Sequence, residues 1–180
     1  VRLVGSEMCI RDSLGTGKKV QGRSRKDVEQ SLITILKDVR KRAPNALILT
    51  VGYLPLVQEK HCVNLPNMTP FENTRVRHLR EAADQALTTA SKTVARMSEQ
   101  QWKDNGVEVV SAGISNVPFR QVHGHDLCAM GHKRFILNRE KTGVRYHYTE
   151  PGLSYIADHV AWKYLSEQLQ WSRQMVYLGR

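Results

Sequence analysis

Ala46-Leu47-Ile48-Leu49-Thr50-Val51, set between Pro44-Asn45 and Gly52-Tyr53-Leu54-Pro55, is the stretch on which the fold turns. A membrane-spanning helix needs roughly 20 apolar residues, so this run is far too short to be one. A strand with one wet face would alternate polar and apolar side chains, and this one does not. The continuous run therefore predicts a central strand covered on both faces, as in a parallel sheet. Ahead of it, Ser24-Arg25-Lys26-Asp27 supplies a helix cap and a first-turn acid, and Val28, Leu32, Ile35, Leu36 and Val39 recur at helical spacing up to Ala43-Pro44. A helix feeding a buried strand is the signature of an α/β sheet.

Downstream, a Pro-containing loop through His61, Cys62, Asn64, Pro66 and Pro70 leads to the segment Thr74 to Asp104. There Val76, Leu79, Ala83, Ala86, Leu87, Ala90, Val94 and Met97 define one apolar helical face. Asn105-Gly106 stops that helix, and Val107-Glu108-Val109-Val110-Ser111 reads as the next strand, parallel to the first because a long helix makes the crossover. Ala112 to Arg145 reads as a long irregular stretch with Pro118 and several Gly and His residues, a pattern more often functional than incidental. Thr149-Glu150-Pro151 then opens a final helix whose expected core face is Ile156, Ala157, Val160, Ala161, Tyr164 and Leu165. The resulting expectation is an α/β protein, a three-layer α/β/α sandwich with a parallel sheet.

The 180 residues, 41% apolar and 24% charged, suit one globular domain. The net charge of +10 favours peripheral contact with anionic surfaces or polymers. It names no specific nucleic acid, because the basic residues are dispersed along helix faces and no aromatic-interleaved basic stripe accompanies them. A non-catalytic basic α/β module that binds anionic polymers is accordingly the alternative function.

Residues 1–13, Val-Arg-Leu-Val-Gly-Ser-Glu-Met-Cys-Ile-Arg-Asp-Ser, resemble the translation of a sequencing-library adaptor and are set apart as non-native. Removing them takes away two basic and two acidic residues and leaves the net charge unchanged. Residues 14–180 are then the portion to be read as protein, opening with a Gly- and Lys-rich loop from Leu14 to Gly22.

Several short motifs stand in order: the strand with Gly52-Tyr53-x-Pro55, the loop with Cys62, the long helix and a second strand. Phe119, then Gly124-His125-x-Leu127-Cys128, then His147-x-Thr149-Glu150-x-Gly152 at a helix start complete the series. This order closely resembles the C-terminal half of secreted serine ester hydrolases of the SGNH (GDSL-like) family, over about Lys18 to Leu169. The resemblance implies a flavodoxin-like domain of which 14–180 is the C-terminal portion, a monomeric secreted protein acting on a small-molecule or lipid ester, and no cofactor.

By that resemblance His147 is the catalytic base, in the loop preceding the last helix, taking a proton from a serine and returning it to the leaving alcohol. Tyr148 stands where the family usually has proline, and Val144 stands where many members have an aspartate that orients the histidine. A backbone carbonyl is the preferred orienter, with Asp126 and Asp158 as alternative carboxylates. Gly124 and His125 belong to the active-site loop, and Cys62 and Cys128 fall where the family carries a disulfide; two free thiols are the other reading. His123, His125, Cys128 and His132 also form a cluster of zinc-binding types, at a spacing that matches no common structural-zinc pattern.

The serine nucleophile has no counterpart. Asp12-Ser13-Leu14 imitates the nucleophile motif but follows no buried strand, and no Gly-x-Asn-Asp occurs anywhere. The expectation is a fragment inactive on its own, its nucleophile and oxyanion donors encoded elsewhere.

Overall fold

The computed structural model describes residues 24–57, 70–107, 111–119, 122, 124–129, 133–138 and 145–177. Residues 1–13 and most of the loop after Gly52-Tyr53 lie outside that set, as do Cys62, His123 and His132.

Helix α1 spans Arg25–Arg42 and starts as its sequence requires. The Ser24 hydroxyl accepts from the Asp27 amide, and the Asp27 carboxylate accepts from the Ser24 amide at 2.7 Å. This reciprocal cap satisfies donors that the first turn leaves orphaned. The buried face differs from the expected one: Ile33 and Leu36 are buried, while Ile35 and Val39 are 57% and 39% exposed. The reason is Arg40, which continues the inward stripe of Ile33 and Leu36. Its Nη1 donates to the Pro44 and Ala46 carbonyls at 2.7 and 2.8 Å, and its Nη2 to those of Ala112 and Gly113 at 2.6 and 3.2 Å. Burial lowers the Arg40 pKa by desolvation, and the ring of carbonyl oxygens answers the guanidinium charge directly. A cation on the core side is invisible to a count of apolar residues.

Strand β1, Ile48–Val51, pairs in parallel with β2, Ile114–Val117, in the register Ile48↔Ile114 to Val51↔Val117. Helix α2, Pro70–Asp104, makes the crossover between them. It begins at Pro70 rather than Thr74, with proline in the first helical position where no amide donor is needed. It ends where Gly106, at φ 75°, lets the Val107 amide reach the Trp102 carbonyl at 2.9 Å.

The strand that pairs with β1 is Ile114–Val117, inside the stretch expected to be irregular; of the strand expected at Val107 to Ser111, residues 108–110 lie outside the described set. Polar Ser115 and Asn116 hid it. The Asn116 amide donates to Thr88 Oγ1 at 2.8 Å, and its Oδ1 accepts from Thr50 Oγ1 at 2.9 Å, with Ser91 Oγ 2.8 Å from the same Thr50 oxygen. This polar seam joins β1, β2 and α2. The first strand is also less covered than expected, since Val51 is 40% exposed and among the described residues β2 is its only neighbour.

Around Ile48 and Ile114 pack Ile33 and Leu36 of α1 and Ala90 and Val94 of α2. Because side chains alternate along a strand, Val117 points away from Asn116, and it enters a second cluster with Leu54, Val57, Phe119, Val122, Leu127 and Ile136. That cluster is closed by β3, Ile136–Asn138, paired antiparallel with β4, Arg145–Tyr148, and by Tyr155, Ile156 and Val160 of helix α3, Glu150–Tyr177. Much of α3 departs from its expected core face. Ala157 and Ala161 are exposed, as are Tyr164 at 44% and Leu165 at 56%. A 28-residue helix is about 42 Å long, and strands of four residues span only about 13 Å, so α3 outruns the pair it covers. The chain is thus a mixed helix and strand protein built on a parallel β-α-β unit, and none of its described helices is long and apolar enough to cross a membrane.

Candidate active site at the carboxyl edge of the sheet

In open α/β sheets ligands bind outside the carboxyl ends of the strands. Here Gly52 to Val57 leave β1 and Pro118 and Phe119 leave β2 at that edge, and three more segments are fastened to them. The Leu127 amide donates to the Leu56 carbonyl at 2.9 Å, binding the turn from Val122 to Ala129 to the segment after β1. The Phe135 amide donates to the His125 carbonyl at 2.8 Å, and the Thr149 amide donates to the Phe135 carbonyl at 2.8 Å. Arg80 of α2 ion-pairs with Asp84 at 2.6 Å and donates to the Phe119 carbonyl at 2.8 Å, holding the exit of β2.

His147 lies in β4, not in a loop as expected. Its side chain falls outside the described set; its backbone is fixed from both sides. Tyr148, its neighbour, pairs with Ile136 and packs against the cluster of Leu54, Val117 and Phe119. Next comes Thr149, whose Oγ1 accepts from the Gly152 amide at 3.2 Å and donates to the Arg134 carbonyl at 2.9 Å. Thr149 caps α3 and welds its start to the strand carrying His147. Gly152 makes that seat fit, because a Cβ there would lie 2.2 Å from the Phe135 carbonyl oxygen.

Gly124 and His125 do come together with this edge. Gly124, at φ 80°, turns the chain, and His125 stacks on Phe135 with ring centroids 4.2 Å apart and planes 5° from parallel. His125 Nδ1 lies 2.6 Å from the Lys133 carbonyl oxygen. A carbonyl only accepts, so Nδ1 carries the proton of the neutral ring and Nε2 keeps its lone pair. Asp126, one alternative carboxylate, is buried rather than solvated, and its Oδ1 accepts from the Cys128 amide at 3.0 Å. Asp158, the other, is exposed on α3.

Cys128 is disulfide-bonded. A sulfur so engaged offers no thiolate to zinc, and among the described residues no three His, Cys, Asp or Glu side chains gather as a metal site. The other members of that cluster, His123 and His132, fall outside the described residues, as does Cys62.

The sequence reading missed His159. Its ring sits against Tyr155 at 4.1 Å and Phe119 at 5.5 Å, with Nδ1 2.9 Å from the Tyr155 carbonyl oxygen. Together with the contact of Phe135 and Tyr155 at 5.0 Å, this makes an aromatic row from His125 to His159 along the edge. The only signal for it was the spacing of Tyr155 and His159, one helical turn apart. The chain matches no protein-family model, no curated protein and no solved structure.

Proposed function

We propose that this chain is the C-terminal part of a secreted serine ester hydrolase of the SGNH (GDSL-like) type, with His147 as its proton-transfer residue. The observation that supports this reading is the seat of His147. The strand that carries it runs through one capping threonine into α3 and packs, through Tyr148, beside the residues leaving both parallel strands. The backbone of residue 147 thus stands beside the segments that leave both parallel strands, at the edge where an α/β sheet presents its substrate.

The three-layer α/β/α arrangement belongs to the same proposal. Helices α1 and α2 cover Ile48, Thr50, Ile114 and Asn116, and Val117 on the other face meets the cluster that α3 closes. The reaction is acyl transfer in two halves. His147 takes the serine proton as the hydroxyl oxygen bonds to the ester carbonyl carbon, then gives that proton to the departing alcohol; water next attacks the acyl-serine with the same residue as base. The serine and the oxyanion donors are supplied by sequence beyond the motifs present in this chain, so the chain alone hydrolyses nothing. Pairing of Cys128 with Cys62 would brace the loop after β1 against the turn that bears His125. The substrate is a small-molecule or lipid ester and the protein is monomeric.

The test is to clone the native reading frame from its locus and measure p-nitrophenyl ester hydrolysis. His147→Ala is expected to lower kcat by about 1,000-fold or more. Turnover equal to that of the unsubstituted protein sinks the assignment.

A further inference from the structure

We infer that the outer face of the layer formed by α1 and α2 docks on an anionic lipid surface. Folding gathers there the cations that the sequence disperses. Ile33 and Leu36 of α1 and Ala90 and Val94 of α2 share one cluster with Ile48 and Ile114, so both helices lie on the same face of the sheet and their opposite sides form one outer surface. On α2 the buried Val76, Ala90, Ser91 and Val94 mark the sheet side. At about 3.6 residues per turn, Arg75, Lys92, Arg96 and Lys103 fall on the other side, and all four are exposed. Lys37 and Lys41 are exposed on α1 beside them. From Arg75 to Lys103 the helix extends about 42 Å, so the charge covers a broad face rather than a spot.

Charge is unevenly shared between the layers. Among the described side chains, five exposed Lys and Arg on α1 and four on α2 stand against two exposed acids on each helix. One of those acids, Asp38, is already paired with Arg42 at 2.9 Å. On α3 the exposed charges among the described side chains are Glu150 and Asp158, and Lys163 is tied to Glu167 at 2.6 Å. A cation surplus held on one layer gives that layer a positive field. The apolar side chains standing among the cations say what kind of anion it meets. Phe71, Leu79 and Met97 of α2 are 73%, 57% and 47% exposed. A soluble polyanion offers such groups nothing, whereas the headgroup boundary of a bilayer takes up apolar side chains while its phosphates meet Lys and Arg. The α3 face exposes Trp162 and Leu165 as well, but its exposed acids give it no pull on an anionic headgroup. The inference uses none of the ester chemistry and stands apart from the hydrolase reading.

Co-sedimentation of the chain with lipid vesicles tests it. Binding is expected to be at least about 100-fold stronger to phosphatidylcholine vesicles carrying about 30% phosphatidylglycerol than to phosphatidylcholine alone. It should fall at least about 10-fold between about 0.1 M and about 0.5 M NaCl. Two variants then remove the same charge from different places. Lys37→Gln, Lys41→Gln, Lys92→Gln and Arg96→Gln together should weaken binding at least about 20-fold, whereas Lys18→Gln, Lys19→Gln, Lys133→Gln and Lys141→Gln together should weaken it less than about 5-fold. Glutamine forms helix about as readily as lysine, so the first variant keeps its fold. Equal losses in the two overturn the inference, because net charge alone would then account for the binding. Trp162→Ala with Leu165→Ala is expected to leave binding unchanged, and a loss there as large as in the first variant moves the contact to α3 and overturns the inference too. So does the absence of binding to the mixed vesicles, whether or not the chain is retained on heparin; retention would make the partner a soluble polyanion.

Discussion

The parallel unit and the carboxyl-edge region are held together in different ways. In the first, α1, α2, β1 and β2 meet through side chains distant in sequence: Leu36 on Val94, Thr50 on Ser91, Arg40 on the Ala112 carbonyl. In the second, the segments that seat His125 and His147 also pack on the cluster of Leu54, Val117, Phe119 and Ile136, but their spacing is fixed by single backbone bonds, such as Phe135 to His125, Thr149 to Phe135 and Leu127 to Leu56. Side-chain packing is spread over many atoms and tolerates adjustment, whereas a backbone bond needs one distance to be right. The sheet unit should therefore respond gradually to substitution and the edge region abruptly.

The largest effect is expected at Gly152. Its missing Cβ leaves room for the Phe135 carbonyl, and Ala would place a carbon 2.2 Å from that oxygen, with further Phe135 backbone atoms at 3.0 Å. Neither partner is a flexible tip, so the start of α3 and the segment at Phe135 must separate, taking the Thr149 bonds with them. Gly152→Ala should cost about 3 kcal/mol or more in urea unfolding. A cost under about 1 kcal/mol would show that this seam is as compliant as the sheet core, and the contrast between the two regions would be lost.

A smaller loss is expected in the polar seam of the parallel unit. Thr50→Val keeps the shape and removes the hydroxyl that Asn116 Oδ1 accepts from and that Ser91 faces. Leaving one part-buried acceptor without its donor costs about 1.5 kcal/mol, measurable as a shift of the denaturation midpoint with an unchanged slope. A neutral or stabilising result would mean that the seam is solvated in the native state and that β2 is held by Ile114 and Val117 alone.

The same division explains what could be read from the residues. Ile48 to Val51 announced themselves as a strand by their short unbroken apolar run, although the strand is less covered than such a run implies, and Ser24 with Asp27 announced a helix start because capping chemistry is local. Ile114–Val117 stayed hidden because the partners of its Asn116, Thr88 and Thr50, are polar, so burial and apolarity parted company there. Val107 to Ser111 looked the better strand by composition alone. At the edge, the motifs marked Gly124, His125 and His147, but nothing periodic encodes that His125 meets the Lys133 carbonyl and stacks on Phe135. Nor does any local pattern say that Asp126 is buried in its own turn. Those contacts are set by where the backbone goes, and the sequence carries that only as single glycines and caps.

The smallest prediction compares the two regions on equal terms. Gly106 ends α2 in the parallel unit and Gly124 turns the edge loop; their φ angles are 75° and 80°, and neither has an atom within 4 Å of where a Cβ would stand. With sterics removed, only the left-handed backbone conformation resists a side chain, at about 1 kcal/mol for Ala. Gly106→Ala and Gly124→Ala should then cost the same, and Asn at either position should cost less, because its short polar side chain tolerates that conformation. Equal losses in paired unfolding measurements would locate the fragility of the edge region in close approaches such as Gly152 rather than in its turns. A loss at Gly124 larger by about 1 kcal/mol would instead mean that the loop bearing His125 is braced beyond the requirement of its own φ, since the same substitution in an equally open turn supplies the baseline.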